Sequence, residues 1–292
     1  MIYTPVEIKT SQCGTKKAIL AVSFGTTHKD TMKKTIEKIE DRIREKFKGY
    51  EVRRAFTAHI IIKVLKERDG IIEDTPEEAL EKLRIEGYEE VIVQPLHIIP
   101  GEEYHYIKNV VENFTKKGIF KKIVLGRSAL YFKGEEEFPD DYTIFVDSIR
   151  EILEKKGTIV MMGHGSSHPA NACYPCLQSV LLDHGYEHVY VGTVEGYPTI
   201  SKVIDRLKKA SVKDVTLVPL MLVAGDHVKN DMAGEDEDSW KSLLNKEGIN
   251  TNLFMHGLGE FEKFQNIYLQ HISDAIKETY ARIGQTKKGK ML

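Results

Sequence analysis

Short runs of aliphatic and β-branched residues recur along the chain, separated by longer stretches in which apolar residues return every three or four positions. Runs of strand length alternating with stretches of helix period predict an α/β fold with parallel strands. In the first half the pattern predicts strands over Ala18–Phe24, Glu51–Phe56, Glu90–Leu96 and Lys122–Gly126. In the second half it predicts them over Thr158–Met162, His188–Val194, Asp214–Leu222 and Thr251–Met255. Helical spacing runs through Lys33–Lys46 and Tyr142–Lys155. Thr75-Pro76-Glu77-Glu78 reads as a helix start, with Thr as N-cap and Glu78 completing a capping box.

The two halves share one pattern. Ser23-Phe24-Gly25-Thr26-Thr27-His28 matches Gly163-His164-Gly165-Ser166-Ser167-His168, 140 residues later, each after the first strand of its half. Gln94–Glu103 matches Val218–His227 at a spacing of 124, each at the end of a third strand. An internal duplication follows, with an N-terminal α/β lobe over residues 1–150 and a C-terminal α/β lobe over 151–292 that carries the metal site. Two such lobes set the C-terminal ends of their strands around a shared cleft, where open α/β sheets bind ligands.

Histidine, glutamate and histidine fall at three predicted strand ends of the second lobe: His164, between two glycines, Glu195, and His227 in Gly225-Asp226-His227. Two imidazoles and a carboxylate suit a first-row divalent ion and leave coordination positions open for handing it on. The plainer alternative is a turn-bonded His164, a capping Glu195 and a surface His227. At the duplicated positions the first lobe has Phe24 and Glu103, so one metal site is expected rather than two. Glu102 and Glu103 are either a cleft-facing carboxylate pair that relays protons or the solvated first turn of a helix.

Other chemistry is thinner. Cys173-x-x-Cys176 has no second cysteine pair, and Cys13 is remote, so packing in the helix after the His164 loop is expected over zinc or redox roles. His97 and His105 could form a second metal cluster, although His105 fits a helix surface better. Gly25-Thr26-Thr27 and Gly165-Ser166-Ser167 resemble phosphate-cradling turns, but no nucleotide-binding glycine motif is present. Glu235–Asp238 is expected to form the first turns of the helix containing Trp240, and residues 284–290 a frayed tail.

The bulk numbers narrow the partners. A net charge of -2 from 42 basic and 44 acidic residues gives no nucleic-acid or membrane-surface bias. No apolar run nears the roughly 18 residues of a membrane span, no secretory signal opens the chain, and three cysteines make no disulfide framework. A cytoplasmic protein is expected, with its oligomeric state open, homo-oligomers included.

Together, Ala21–Thr27, Gln94–Ile99, Gly163–His168, Gly192-Thr-Val-Glu-Gly196 and Pro219–His227 resemble the class II chelatases, most closely the anaerobic sirohydrochlorin cobaltochelatases of cobalamin biosynthesis. The resemblance spans nearly the whole chain. It implies two Rossmann-like lobes enclosing a tetrapyrrole, with cobalt(II) as substrate ion held by His164, Glu195 and His227. It implies that His164 takes protons from the pyrrole nitrogens, and that no nucleotide is used. The expected reaction is ATP-independent insertion of cobalt(II) into sirohydrochlorin or precorrin-2. Arg53, Arg54, Arg127, Lys133 and Lys229 are candidates to meet substrate carboxylates. Alternatives are ferrochelation toward sirohaem, a tetrapyrrole or metal carrier without catalysis, and a two-lobed binding-protein-like receptor, which the histidine-rich rim disfavours.

Overall fold

The computed structural model describes residues 15–134 and 138–280; Cys13 and the expected tail at 284–290 lie outside them. Among the described residues eight strands form: β1 Lys17–Ser23, β2 Glu51–Phe56, β3 Glu90–Pro95, β4 Lys122–Leu125, β5 Thr158–Gly165, β6 Val189–Glu195, β7 Asp214–Pro219 and β8 Asn250–Leu253. They build two four-stranded sheets, ordered β2-β1-β3-β4 and β6-β5-β7-β8, with every pairing parallel. The α/β fold read from the chain is the one observed. Register supports the duplication independently: Val22 faces Pro95 across β1 and β3, and Met162 faces Pro219 across β5 and β7. Both turns after the first strand close alike, with the His28 amide donating to Thr26 Oγ1 at 3.2 Å and the His168 amide to Ser166 Oγ at 3.0 Å.

Apolar residues occupy both faces of each sheet, as parallel strands require. Ala18, Leu20, Val22, Val91 and Val93 pack outward under helices Pro76–Ile85 and Glu102–Lys116. Val160, Met162, Val215 and Leu217 form the matching outer core of the second sheet. The inner faces share one continuous core, in which Ile19 and Ile92 belong with Ile159 and Met161. Two helical segments join it. Helices Asp141–Ser148 and Arg150–Leu153 bring Phe145 and Ile152; helix Glu262–Lys277 brings Phe264, Tyr268 and Ile272. That last helix belongs to the second half by sequence, yet Tyr268 Oη donates to the Leu96 carbonyl at 2.9 Å and Arg42 bonds the Glu262 carbonyl at 2.8 Å. Among the described residues no helix is long and apolar enough to cross a membrane.

Several boundaries differ from expectation for local reasons. The helix expected over Lys33–Lys46 is two, Lys29–Lys34 and Ile36–Lys46, broken at Thr35, whose hydroxyl bonds the Thr31 carbonyl at 2.7 Å. The capping box at Thr75 and Glu78 is present. Glu235–Asp238 precede rather than begin their helix, which starts at Trp240 with Ser239 as N-cap. The third strands stop at Pro95 and Pro219. After Pro219 the chain turns aside, and the Met221 and Leu222 carbonyls accept from the amides of Leu258 and Gly259 instead.

Candidate metal centre

The glycines around His164 are demanded by close contacts. A Cβ on Gly163 would lie 2.3 Å from the Tyr174 ring, and one on Gly165, where φ is +86°, would lie 1.5 Å from the Glu195 carbonyl oxygen. Tyr174 is buried beneath this turn, and burial pushes its phenol up to about 12. His164 therefore sits half-buried at the end of the central strand β5, held between Tyr174 and the end of β6.

His227 arrives from the other side of the same crevice. Contrary to expectation it does not close the third strand: β7 ends at Pro219, and His227 stands just before the helical turn Val228–Met232. The chains leaving β5 and β7 depart toward opposite sides of the sheet, the topological switch point at which such sheets bind ligands. The two imidazoles meet there, with ring centroids 4.5 Å apart and planes at 87°.

Their tautomers follow from their partners. His227 Nδ1 lies 2.6 Å from Asp231 Oδ2, and His164 Nδ1 lies 3.0 Å from the Gly165 carbonyl. Carboxylate and carbonyl oxygens only accept, so each ring in its neutral form donates through Nδ1–H and keeps the Nε2 lone pair free. A carboxylate behind a metal-binding histidine is the usual device for fixing ring orientation and raising basicity.

Glu195 is placed differently from the expected trio. It ends β6 opposite Gly165 in register, one row beyond His164, and its side chain is exposed. Alternation along the strands sends it toward the other face from His164. Among the described residues no three histidine, cysteine or acidic side chains form a ready-made metal cluster. The structure thus brings His164 and His227 together and leaves Glu195 beside the pair.

The first lobe's rim closes over this edge. Ser167 Oγ donates to Glu102 at 2.7 Å, while Glu103 is half-buried on the same first turn. His105, exposed on its helix as expected, pairs through Nδ1 with His168 Nε2 at 2.8 Å. It forms no cluster with His97, whose ring nitrogens are sealed and unpartnered, and burial lowers the His97 pKa to about 4. Lys229 Nζ donates to His28 Nδ1 at 3.2 Å, so His28 donates through Nε2 to Asp226 at 2.8 Å. The hydroxyls of Thr26 and Ser166 accept from the His28 and His168 amides within their own turns.

Four of the five cations expected to meet substrate carboxylates are already paired. Arg53 is bound to Glu86 and Glu51, Arg54 to Glu40 and Glu73, and Lys133 to Asp140. Arg127 is 2% exposed and clamped between Asp141 and Asp274, tying the last helix to the first sheet. Only Lys229, exposed on the rim, remains of that set. Cys173 and Cys176 are free thiols half-buried against the inner core, on helix Cys173–Asp183 as expected, and burial raises the Cys173 pKa. Sequence reasoning missed Asp231; its signal was the four-residue spacing from His227 on a helical turn.

Two open parallel sheets, the second with two imidazoles meeting at its switch point, define a class of two-lobed α/β proteins. A cobalt chelatase (CbiK) family profile matches residues 17–277, and the chain belongs to that family. It is 39% identical over 264 residues to a sirohydrochlorin cobaltochelatase of Salmonella typhimurium, covering 89% of this chain and 97% of that protein. It is 34% identical over 266 residues to the sirohydrochlorin cobaltochelatase CbiKC of Nitratidesulfovibrio vulgaris, covering 90% and 91%. In fold it is similar to CbiX, the terminal enzyme for siroheme biosynthesis in denitrifying bacteria, with a TM-score of 0.52 and 17% identity over 89% of this chain and 99% of that one.

Proposed function

We propose that this protein inserts cobalt(II) into sirohydrochlorin without a nucleotide, using the edge of the second sheet as the metal platform. The observation that carries the reading is the convergence of His164 and His227 with both Nε2 lone pairs free. In this reading the two imidazoles hold the incoming cobalt(II), and Glu195 swings in from the adjoining strand end as the third ligand. Metallation exchanges two pyrrole N–H protons for one dication. Transfer of the ion to the ring vacates His164 Nε2, which takes one proton; Glu103, across the cleft at the duplicated position of His227, takes the other. Asp231 steadies His227 throughout.

The rim bonds must part to admit a macrocycle. They join side chains that are exposed or half-buried, at about 1 kcal/mol each, so opening costs little beside substrate binding. Lys229 is then free to meet a peripheral carboxylate. Metal-free sirohydrochlorin mixed with cobalt(II) and followed by its visible spectrum should metallate with the wild type and no ATP. His164→Ala should reduce insertion to background, and Glu195→Ala and His227→Ala should slow it strongly. Wild-type rates in all three variants would refute the site.

A further inference from the structure

The internal duplication leaves one aromatic ring outside the cores of both sheets. Phe24 occupies in the first lobe the position that His164 holds in the second, directly after the central strand. The β1–β2 register ends with Ser23 facing Phe56, and the Leu96 amide bonds the Val22 carbonyl. The next row across the first sheet is therefore Thr57, Phe24 and His97. Thr57 and the His97 nitrogens are buried, while Phe24 between them is 43% exposed. Among the described residues Phe24 belongs to none of the hydrophobic core clusters. Strand alternation puts Phe24 on the face of Leu20 and Val22, while a Cβ on Gly25, where φ is +95°, would meet Phe56 and Ile61. From there the chain runs into the cleft, where Thr26 Oγ1 lies 3.7 Å from the Cβ position of Gly225, two residues before His227.

The geometry points to Phe24 as the platform for the macrocycle face that turns away from the histidine pair, an inference that rests on the proposed function. A phenyl ring cannot ligate an ion or accept a proton, so substituting it for a duplicated histidine directs metal to one face only. Its π-face excludes water and stacks against a flat conjugated ring, the contact that aromatic pairs favour. Phe24 is thus a substrate-contacting residue that sets affinity and facial orientation, while cobalt(II) is held by the other lobe.

The test is a titration of metal-free sirohydrochlorin into wild type, Phe24→Ala, Phe24→Leu and Phe24→Trp, with cobalt(II) affinity measured separately in the absence of tetrapyrrole. Phe24→Ala should weaken sirohydrochlorin binding about tenfold, Phe24→Leu should weaken it less, and Phe24→Trp should keep it. Cobalt(II) affinity should stay within about twofold in all of them. Wild-type sirohydrochlorin affinity in Phe24→Ala would overturn the inference. So would a parallel loss of cobalt(II) binding, which would make Phe24 a structural prop. If Phe24→Ala does not fold, Phe24→Leu decides, since it keeps bulk without the ring; unchanged affinity there overturns the platform. A wild type that binds no sirohydrochlorin at all would instead overturn the proposed function.

Discussion

Replacing His97 by Met, the residue at its duplicated position Met221, should relieve an acid sensitivity built into the first lobe. Neither His97 ring nitrogen has a partner, and both are sealed from solvent. Burial lowers the pKa from 6.5 to about 4 in the folded protein. Between those values the unfolded chain binds a proton that the folded chain refuses, so wild-type stability falls as pH falls through this window. At about 1.4 kcal/mol per pH unit, the loss on going from neutral pH to pH 4 is about 3 kcal/mol. Urea unfolding of both proteins across this range isolates the effect, because His271, also lowered by burial, is present in each and cancels. The stability of His97→Met relative to wild type should rise by about 3 kcal/mol toward pH 4. A difference constant to within about 0.5 kcal/mol would show that folded His97 protonates freely, and the account of its burial would fail.

Further outcomes concern the metal edge and the last helix. Asp231→Ala should lower cobalt(II) affinity by about 10–100-fold, measured by competition with a chromophoric chelator, by freeing the His227 ring to rotate. Gly165→Ala should push the Glu195 carbonyl aside and slow insertion by about 100-fold, with the far-ultraviolet circular dichroism unchanged. Arg127→Met should cost about 3–5 kcal/mol in urea unfolding, because it strips two carboxylates of their shared partner. Burial opposes the charge of Asp141, yet bonds from His271 and Arg127 hold its pKa below the usual range. The stability it contributes is therefore complete above the ordinary carboxylate value and is lost only as pH falls below about 4, through the lowered folded value.

The fold was legible because buried parallel strands are written as unbroken apolar runs such as Ala18–Val22 and Ile159–Met162. His164 was legible through its glycines, whose necessity lies in contacts with Tyr174 and Glu195. What escaped was set by distant partners. Arg127 reads as a free cation in sequence, but its carboxylates lie 14 and 147 positions away. The stopping of β7 at Pro219 depends on bonds offered by Leu258 and Gly259 from beyond the next strand. Glu195 closes its strand as read, but its direction depends on register, which apolar patterning does not encode.

The position of helix Glu262–Lys277 bears on synthesis. Its Phe264, Tyr268 and Ile272 cover the inner face on which Ile19 and Ile92 lie, so that side of the first lobe is roofed by a segment translated only after the strands of both sheets. While the ribosome still holds this helix, the nascent first lobe carries an uncovered apolar surface and must wait for it, in an order opposite to that of domains that mature one after another.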